Sequence, residues 1–326
     1  MTKREFPLND KEIHIGILGM TEGNAHPFSW SAMINGYDKE EMRRWTGELY
    51  PTIPAYLDKQ PEHTFGINKV RVTHVCFTGY EDREMAENCA RASLIEHVVD
   101  NPEDMIGKVD AVICATDIGE EHVERCRPFI EAGIPMFIDK PLTDNEDDLK
   151  TFIKWRQEGA NFISSSSMRY VKEMEPLYTN HYEVGKLRYI CSPMPKYWEN
   201  YGIHALEEVF PLLGRGFEWV QNTGTKESAM VHLHHKSGCY IDIPMGVGMS
   251  GLGVMILGEC GSKLVTTADS FYAFKKQLDV FVDYLRTGEE PHPFEDTVEM
   301  MKIIIAGIRS REEGGRKVYL SEIIGE

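Results

Sequence analysis

The chain has no long apolar run and comparatively few basic residues. No apolar run within the 326 residues approaches the ~18 residues of a membrane span, so we expect no membrane anchor. Lysine and arginine together number 35 against 52 acidic residues, which gives a formal net charge of −17. A field of that sign repels phosphate backbones, so the composition argues against nucleic acid as a partner.

Paired cysteines are also missing. The seven cysteines are scattered, none forms a CxxC pair, and several lie in apolar strand-like contexts such as HVCF and VICAT. This pattern indicates reduced, buried thiols. The first ten residues, MTKREFPLND, are charged and contain no apolar core, so they do not resemble a secretion signal. Together these features predict a cytoplasmic protein.

Apolar strand-like runs alternate with helix patterns over residues 1–165. The clearest strand-like runs are EIHIGILGM, KVRVTHVCF, VDAVICAT and PMFID. Such alternation implies right-handed crossovers and a doubly wound parallel sheet. The polar, proline-containing segment 37–68 is long for a crossover, and we expect it to form a surface excursion.

The pattern changes in residues 166–326. Strand-like runs broken by glycine and serine, followed by two amphipathic helices, predict an α+β domain with an open, mostly antiparallel sheet. The last helix could return to the first domain. HLHHKSGCYI is typical of a hairpin, with His232 and His234 on one strand face. No third ligand is evident beside these histidines, so we predict no metal site.

The stretch GILGMTEGNAHPF spans the end of the first strand and the turn after it. A dinucleotide site needs residues without side chains where the backbone approaches the pyrophosphate, and a helix N-terminus that supplies N–H donors. If Gly19 is the first glycine of a GxGxxG pattern, Thr21 and Asn24 occupy the other two places. In a longer loop, Gly23 takes the second role. The loop alone is equally compatible with a nucleotide site and with a plain strand-to-helix turn.

The stretch VDAVICATDIGEEHVERCRPFIEAGIPMFIDKPLT resembles the Gfo/Idh/MocA oxidoreductases, which include glucose–fructose oxidoreductase and inositol dehydrogenase. The family has a Thr-Pro-Asn-x-x-His-type turn, an Ala-Gly helix end and a Glu-Lys-Pro motif. The corresponding residues here are Thr116, Asp117, Ile118, His122, Ala132, Gly133, Asp139, Lys140 and Pro141. The resemblance continues in order through SMRYVKEMEP and YGIHALEEVFPLLG to the C-terminal helix. It implies a Rossmann domain at 1–165, an α+β domain at 166–326 and NAD or NADP as cofactor.

By this resemblance, a hydride moves between nicotinamide and a hydroxyl carbon of a sugar, sugar acid or cyclitol. The lysine of the Glu-Lys-Pro motif carries over to Lys140, and the family's Asp-x-x-x-His pair falls on Asn200 and His204. The chemistry itself needs a base for the hydroxyl proton, which suits histidine, and a cation that stabilises alkoxide charge. Asn200 cannot carry negative charge, so proton transfer is expected to rest on His204, either alone or together with Lys140.

Further candidates surround these three residues. The cofactor candidates are Gly19, Thr21, Gly23, Asn24, Thr78, Thr116, His122, Asp139 and Lys140. The substrate candidates are His26, Trp30, Arg169, Tyr170, Tyr197 and Glu199. Arg169 could equally brace the domain junction, and His26 and Trp30 could instead form a staple for the helix.

Two other functions stay open on the sequence alone. One is a binding or regulatory protein with this fold and no redox turnover, and the other is an NAD-assisted glycosidase or lyase. The expected partners are a polyol or sugar and further copies of the chain. Because helices cover only one side of the second sheet, the other side is expected to pack in a homodimer or homotetramer.

Overall fold

The computed structural model describes residues 6–77, 83–249 and 253–324, and the chain divides into two compact units. Unit 1 comprises Met1–Asp139, Lys154–Ser164 and Phe274–Pro291, and unit 2 comprises Lys140–Ile153, Ser165–Ala273 and His292–Glu326. The sequence interpretation divided the chain once, after residue 165. The units differ from that division in residues 140–153 and 274–291. Within the described ranges, no helix is both long and apolar enough to cross a membrane.

Unit 1 is built on a parallel sheet. Its strands are β1 (Ile13–Leu18), β2 (Val70–Cys76), β3 (His97–Val98), β4 (Ala111–Cys114), β5 (Met136–Ile138) and β6 (Phe162–Ile163). Their order is β3-β2-β1-β4-β5-β6, which is the Rossmann order with its switch point between β1 and β4. β4 and β5 are buried throughout, as expected for parallel strands covered on both faces.

The helices before β6 follow the predicted alternation, with one difference. They are α1 (His26–Asn35), α2 (Lys39–Thr46), α3 (Thr52–Leu57), α4 (Arg83–Ala92), α5 (His122–Glu131) and α6 (Glu146–Gln157). The segment expected to be a surface excursion contains α2 and α3, and α2 packs against α4. Met42 and Leu57 are fully buried there. These two short helices were not predicted from the sequence, because each has few apolar residues within a polar segment.

Unit 2 contains a mixed, mostly antiparallel sheet. Its strands are β7 (Leu187–Cys191), β8 (Met194–Pro195), β9 (Phe217–Asn222), β10 (Ser228–His235), β11 (Tyr240–Gly246), β12 (Gly253–Gly258), β13 (Ser262–Thr266) and β14 (Val318–Tyr319). The main order is β13-β12-β7-β11-β10-β9-β14, with β8 beside β11. β11 runs parallel to β7 and β8, while the other pairs are antiparallel. The predicted α/β fold class with a second, α+β domain is confirmed.

The remaining helices are α7 (Glu175–Thr179), α8 (Trp198–Leu213), α9 (Ser270–Thr287) and α10 (Phe294–Glu312). α8 packs on β11, and α10 packs on β9 and on α8, so one face of the sheet is covered. The opposite face carries a row of large side chains, because neighbouring strands place them at matching positions of the register. We call it the aromatic row: Leu257, Tyr189, Tyr240, His234, Trp219 and Tyr319.

Candidate active site

The turn after β1 is shaped by two glycines in the left-handed region. Gly19 has φ +76°, and a Cβ there would lie 2.6 Å from Thr116 Cγ2, so the turn approaches the end of β4 closely. Gly23 has φ +77°, and a Cβ there would meet no atom within 4 Å. Side chains are therefore excluded at Gly19 by contact, whereas the backbone at Gly23 lies open at the sheet edge. These features fit a nucleotide at the switch point between β1 and β4.

The amides that begin α1 are used by the chain itself. The His26 N–H donates to Asn24 Oδ1 at 3.0 Å, and Pro27 has no N–H. The Phe28 N–H donates to the Ala25 carbonyl at 3.2 Å. A phosphate at this edge would therefore be held by the backbone of the glycine turn rather than by these amides. This is the physical difference from a GxGxxG loop, whose helix N-terminus offers its donors to the ligand.

His26 is paired with a buried carboxylate. Its Nδ1 lies 2.8 Å from Asp139 Oδ2, and the Asp139 side chain is only 1% exposed. Asn24 Nδ2 donates to the same oxygen at 3.4 Å. The His26 ring stacks on Trp30, with centroids 4.2 Å apart, and meets Phe274 edge-on at 5.2 Å. The structure thus brings together predicted cofactor and substrate candidates in a pair that the sequence did not indicate.

The other unit 1 candidates have structural partners. The Thr21 hydroxyl accepts the Asp117 N–H at 3.2 Å, which ties the glycine turn to the chain after β4. Fully buried His122 donates from Nε2 to the Thr116 carbonyl at 2.8 Å and so fixes the start of α5. Thr78, the candidate at the end of β2, lies outside the described residues.

Lys140 is buried in unit 2 beside an aromatic ring. The residue is 3% exposed, and its Nζ lies 5.1 Å from the centroid of the Tyr201 ring. Tyr201 meets His204 edge-on, with centroids 4.8 Å apart, because residues three apart share a side of α8. An ammonium taken out of water needs compensating interactions, and a ring face supplies one of them. Two of the three predicted catalytic residues therefore contact the same tyrosine.

His204 is oriented by Ser166. Its Nδ1 lies 2.6 Å from Ser166 Oγ, and that hydroxyl also accepts the Met168 N–H at 3.1 Å. Asn200 precedes His204 by one helical turn, and its Oδ1 is buried without a hydrogen-bond partner among the described residues. A buried carbonyl oxygen without a donor is costly in the protein alone, so this atom indicates a place for a ligand hydroxyl.

Arg169 braces α8. Its guanidinium forms an ion pair with Glu207, whose side chain is buried and also accepts the Ser166 N–H at 3.0 Å. Burial raises the pKa of Glu207, and the Arg169 charge opposes that rise. Arg169 thus holds in place the turn that carries Ser166, and this ion pair lies within unit 2.

Three further substrate candidates lie on or near α8. Glu199 accepts a 2.5 Å hydrogen bond from Arg311. Burial raises the pKa of Glu199, but the bond to Arg311 outweighs burial and leaves that pKa below its usual range. The Tyr170 hydroxyl is buried without a partner among the described residues. Tyr197 is half-buried immediately before α8. Sequence reasoning missed Tyr201 because α8 itself was not predicted.

Glu208 is a buried acid without a cation in the described part of unit 2. Ser192 Oγ donates to its Oε2 at 3.1 Å, and Oε1 has no hydrogen-bond partner in the part of the chain that the structure describes. Burial raises the pKa of Glu208 to about 8. The folded chain therefore keeps a proton that the unfolded chain loses from its ordinary pKa of 4.5 upward. The stability that protonated Glu208 contributes to the folded chain at low pH is therefore lost as the pH rises from about 4.5 to about 8.

Replacing this acid by a neutral amide is expected to remove that loss. At pH 8.5, Glu208→Gln should raise the free energy of unfolding by on the order of 3 kcal/mol, with almost no change near pH 4.5. Urea unfolding at the two pH values measures the difference, with Glu48→Gln, an exposed acid, as control. An equal effect of Glu208→Gln at both pH values would contradict the assignment.

The histidines of the β10–β11 hairpin have separate acidic partners. His232 Nδ1 lies 2.7 Å from Asp242 Oδ1, and His234 Nδ1 lies 2.8 Å from Glu218 Oε2. Throughout the described ranges, no group of three or more His, Cys, Asp or Glu side chains is arranged to hold a metal ion.

Comparison with known proteins adds a family match over part of the chain and a fold. Residues 51–166 match the model of the Gfo/Idh/MocA family, described as an oxidoreductase family with an NAD-binding Rossmann fold. No curated protein matches the chain. Among solved structures, the apo scyllo-inositol dehydrogenase from Lactobacillus casei is 13% identical, with a TM-score of 0.74 and coverage of 96% of this chain and 100% of that chain.

Two further structures show the same likeness. The myo-inositol 2-dehydrogenase from Lactobacillus plantarum is 14% identical, with a TM-score of 0.74 and coverage of 95% of this chain and 99% of that chain. A probable dehydrogenase from Thermotoga maritima is 17% identical, with a TM-score of 0.72 and coverage of 96% and 100%. At these identities the structural likeness shows the fold. The family model that residues 51–166 match is described as NAD-binding, which agrees with the predicted cofactor class, a nicotinamide dinucleotide.

Proposed function

We propose that the protein is an NAD(P)-dependent dehydrogenase that transfers a hydride between nicotinamide and a hydroxyl carbon of a sugar, sugar acid or cyclitol. The observation that carries this proposal is the arrangement around Tyr201, where buried Lys140 lies over the ring and His204 meets its edge. A buried cation next to hydrogen-bonding groups stabilises the negative charge that develops on an alcohol oxygen. The related inositol dehydrogenases support a polyol as the substrate class.

Each residue of the cluster has a distinct part in this proposal. Lys140 donates a hydrogen bond to the reacting oxygen and stabilises the alkoxide. His204 is held by Ser166 and hydrogen-bonds to a substrate hydroxyl. Asn200 bonds to a second hydroxyl through its Oδ1, which has no partner among the residues that the structure describes. A polyol has several hydroxyls at fixed angles, so paired acceptors and donors on one helix select its orientation.

The cofactor would be held at the turn of Gly19 and Gly23 at the end of β1. When bound, the oxidised nicotinamide supplies the hydride acceptor. Thr116 and the Gly19 backbone form the close contact that shapes this turn. The amides at the start of α1 are bonded within the chain. We therefore predict that the affinity for the nucleotide depends on the backbone at Gly23, which no side chain covers.

Nicotinamide binding and turnover test the proposal together. Purified protein is titrated with NADH and NADPH while fluorescence is followed, and then NAD⁺ or NADP⁺ reduction is measured with myo-inositol, D-glucose and D-glucuronate. We expect binding of at least one nucleotide and its reduction by at least one polyol. Absence of binding would instead support the non-redox alternative. Bound cofactor with glycoside cleavage and no net reduction would support the NAD-assisted glycosidase or lyase.

We also propose that the aromatic row is an interface between copies of the chain. Tyr240 and Tyr319 are 52% and 51% exposed, and Leu264, on the neighbouring β13, is 78% exposed. Exposed apolar and aromatic side chains that adjoin across a sheet face are typical of contact surfaces. This favours the homodimer or homotetramer expected from the sequence. Cytoplasmic location remains a proposal based on composition and unpaired cysteines.

A charge placed on this face is expected to weaken the assembly. Leu264→Lys should shift the protein from dimers or tetramers toward monomers, because a buried lysine lacks a partner there. Sedimentation velocity measures the shift at micromolar concentration. Leu49→Lys, at a leucine of unit 1 that is 66% exposed, is the matched control and should leave the assembly intact. A monomeric wild-type protein would contradict the interface.

A further inference from the structure

Unit 1 has a groove toward the amino end of β1, away from the turn that follows this strand. The groove has a volume of about 550 Å³ and is lined by Glu12 and His14, where β1 begins, whereas Gly19 follows where β1 ends. Ligand pockets in proteins are typically about 300–1,000 Å³. The groove is therefore large enough for a small molecule and lies at the opposite end of β1 from the proposed nucleotide turn.

A register shift in β2 brings basic side chains to one face of the sheet. His14 lies opposite Arg71. Two residues further along β1, Gly16 lies opposite His74, which is three residues further along β2. The extra residue in β2 reverses the alternation of side chains between the two faces of the strand. Arg71 and His74 therefore share the face of His14, where a regular strand would have placed Thr73.

His74 lies in this groove beside a second histidine. His97 of β3 is opposite His74 in the register, and the two ring centroids are 4.7 Å apart. Thr73 Oγ1 lies 2.9 Å from His74 Nδ1, which fixes the orientation of the ring. His74 is 7% exposed, and its Nε2 has no hydrogen-bond partner in the described part of the chain. A mostly buried ring nitrogen without a partner indicates a place for a ligand.

Lys108, shortly before β4, adds a permanent charge to the same groove. Its segment is fixed to β1 through Asp110. The Asp110 N–H donates to the His14 carbonyl at 2.7 Å, and Asp110 Oδ2 accepts the His14 N–H at 2.9 Å. Among the residues that the structure describes, the Lys108 ammonium has no carboxylate partner. An ammonium group held beside two imidazoles is a favourable place for a negative charge.

The groove contains more basic than acidic side chains, although the chain as a whole has a net charge of −17. Its basic side chains are His14, Arg71, His74, His97 and Lys108. Its two acids are exposed, and each already faces a base. Glu12 lies 3.8 Å from His14, and Glu96 lies 3.4 Å from Arg71. Both distances exceed the about 2.7–2.9 Å of a close charge-assisted hydrogen bond, so neither acid neutralises the inner part of the groove.

The environment of His74 favours the neutral ring in the absence of a ligand. Burial is the main cause that lowers the pKa of His74 to about 4. His97, Lys108 and His14 lower this pKa as well, and the Glu96 carboxylate opposes them. An anion bound among these groups would offset their positive charge and raise the pKa of His74.

We propose that this groove is a binding site for a small dianionic oxyanion of the phosphate class, held by Lys108, His74 and His97. These three side chains supply the hydrogen-bond donors and the positive charge that such an anion needs. Val98 and Val99 line the adjoining part of the groove, which gives an organic group attached to the anion an apolar wall. The site lies within unit 1 and does not depend on the proposed dehydrogenase function.

The first test uses inorganic sulfate, which stays doubly charged over the pH range in which histidines titrate. Sulfate is added to the full chain at pH 6 and constant ionic strength while NMR follows the imidazoles, assigned with His74→Gln and His97→Gln. We expect saturable shifts of His74 and His97, whereas His63, an exposed histidine outside the groove, should not shift. Saturating sulfate should raise the pKa of His74 by about 1, which corresponds to about tenfold tighter binding to the protonated ring.

The second test removes the permanent charge. Lys108→Met should weaken sulfate binding by about tenfold or more, the loss expected for one hydrogen bond to a charged group. Lys59→Met, at an exposed lysine of unit 1 outside the groove, is the matched control and should bind sulfate like the wild type. Lys108 is also exposed, so both variants should fold, which circular dichroism verifies. Isothermal titration calorimetry measures the dissociation constants.

Three results would overturn the site. They are imidazole shifts that never saturate, equal sulfate binding by the wild type and Lys108→Met, and reversal of the His74 and His97 shifts by NADH, which would place the anion at the turn after β1.

A last comparison distinguishes the two sources of such an anion. Glycerol 3-phosphate and inorganic phosphate are titrated into the wild type at the same pH and ionic strength. Tighter binding of the ester supports a phosphorylated molecule whose organic part lies along Val98 and Val99. Equal or weaker binding of the ester supports the free ion at the same three side chains, and binding of neither would contradict the proposal.

Discussion

Lys140→Met is expected to lower kcat for polyol oxidation by about 10²–10³-fold, the loss typical when one group that stabilises developing oxyanion charge is removed. Methionine keeps the length of the side chain but removes the charge and the donor. Because Lys140 is 3% exposed, an apolar replacement of similar volume should leave folding intact. Steady-state kinetics with NAD⁺ or NADP⁺ measure the activity, and circular dichroism and thermal unfolding verify the fold.

Lys196→Met provides the matched control for this prediction. Its Nζ also lies over the Tyr201 ring, at 4.3 Å, and donates to the Tyr201 hydroxyl at 2.7 Å, but the residue is exposed. Substitution there removes a lysine from the same ring without changing the buried charge, so activity should stay within about threefold, as expected for an exposed charge. A folded Lys140→Met protein with wild-type kcat would refute the assignment of Lys140.

Trp198→Ala is expected to lower the free energy of unfolding by about 3–5 kcal/mol, the range for truncating a large buried aromatic residue. Trp198 begins α8, is 1% exposed, and donates from Nε1 to the Ile304 carbonyl of α10 at 2.9 Å. Two glycines face it closely. A Cβ at Gly202 would lie 2.4 Å from the ring, and one at Gly307 would lie 2.3 Å from Nε1. The indole therefore fills the contact between the two helices.

Two variants separate the causes of this loss. Trp198→Phe keeps an aromatic ring but removes the donor, so a smaller loss of about 1 kcal/mol is expected from the hydrogen bond. Trp45→Ala, at a half-buried tryptophan of α2, is the control and should cost less than Trp198→Ala. Urea unfolding followed by circular dichroism measures all three. A loss below that of Trp45→Ala would show that the α8–α10 contact does not depend on Trp198.

The consequence for function follows from the position of Trp198 on the helix that carries Asn200, Tyr201 and His204. Loosening the first turn of α8 displaces these side chains before the rest of unit 2 unfolds. Trp198→Ala should therefore lose activity at a lower urea concentration than it loses helical signal. Lys140→Met should show no such separation, because it leaves α8 packed.

Residue types and local spacing determined much of the fold. The apolar runs that became β4 and β5 are uninterrupted, and the run that became β1 is nearly so, because both faces of a parallel sheet are buried and this burial is recorded directly in composition. The hairpin of β10 and β11 could also be predicted from local sequence, because its turn residues themselves favour the turn conformation. Lys140 could be singled out because its neighbours in the chain form a recognisable motif.

Other elements of the fold could not be predicted from residue types and local spacing. α8 contains Gly202 and Pro211, which weaken any local helix prediction, and its stability comes from Trp198 packed against α10. The segment with α2 and α3 lies mostly at the surface, as expected, but its two helices were not predicted, since its few buried residues gain their burial only from contacts elsewhere in unit 1. Local propensity cannot report a contact with a distant element.

The residues of the candidate site likewise divide into those that the sequence predicted and those whose partners only the structure revealed. By itself the sequence determined the parallel sheet, the glycine turn after β1 and the place of Lys140 beyond β5. Only the tertiary structure decided that His26 pairs with Asp139, 113 positions away, and that His204 pairs with Ser166, 38 positions away. The reason is physical: periodicity records whether a side chain is buried, whereas the partner it meets is set by how the crossovers bring distant strand ends and helices together.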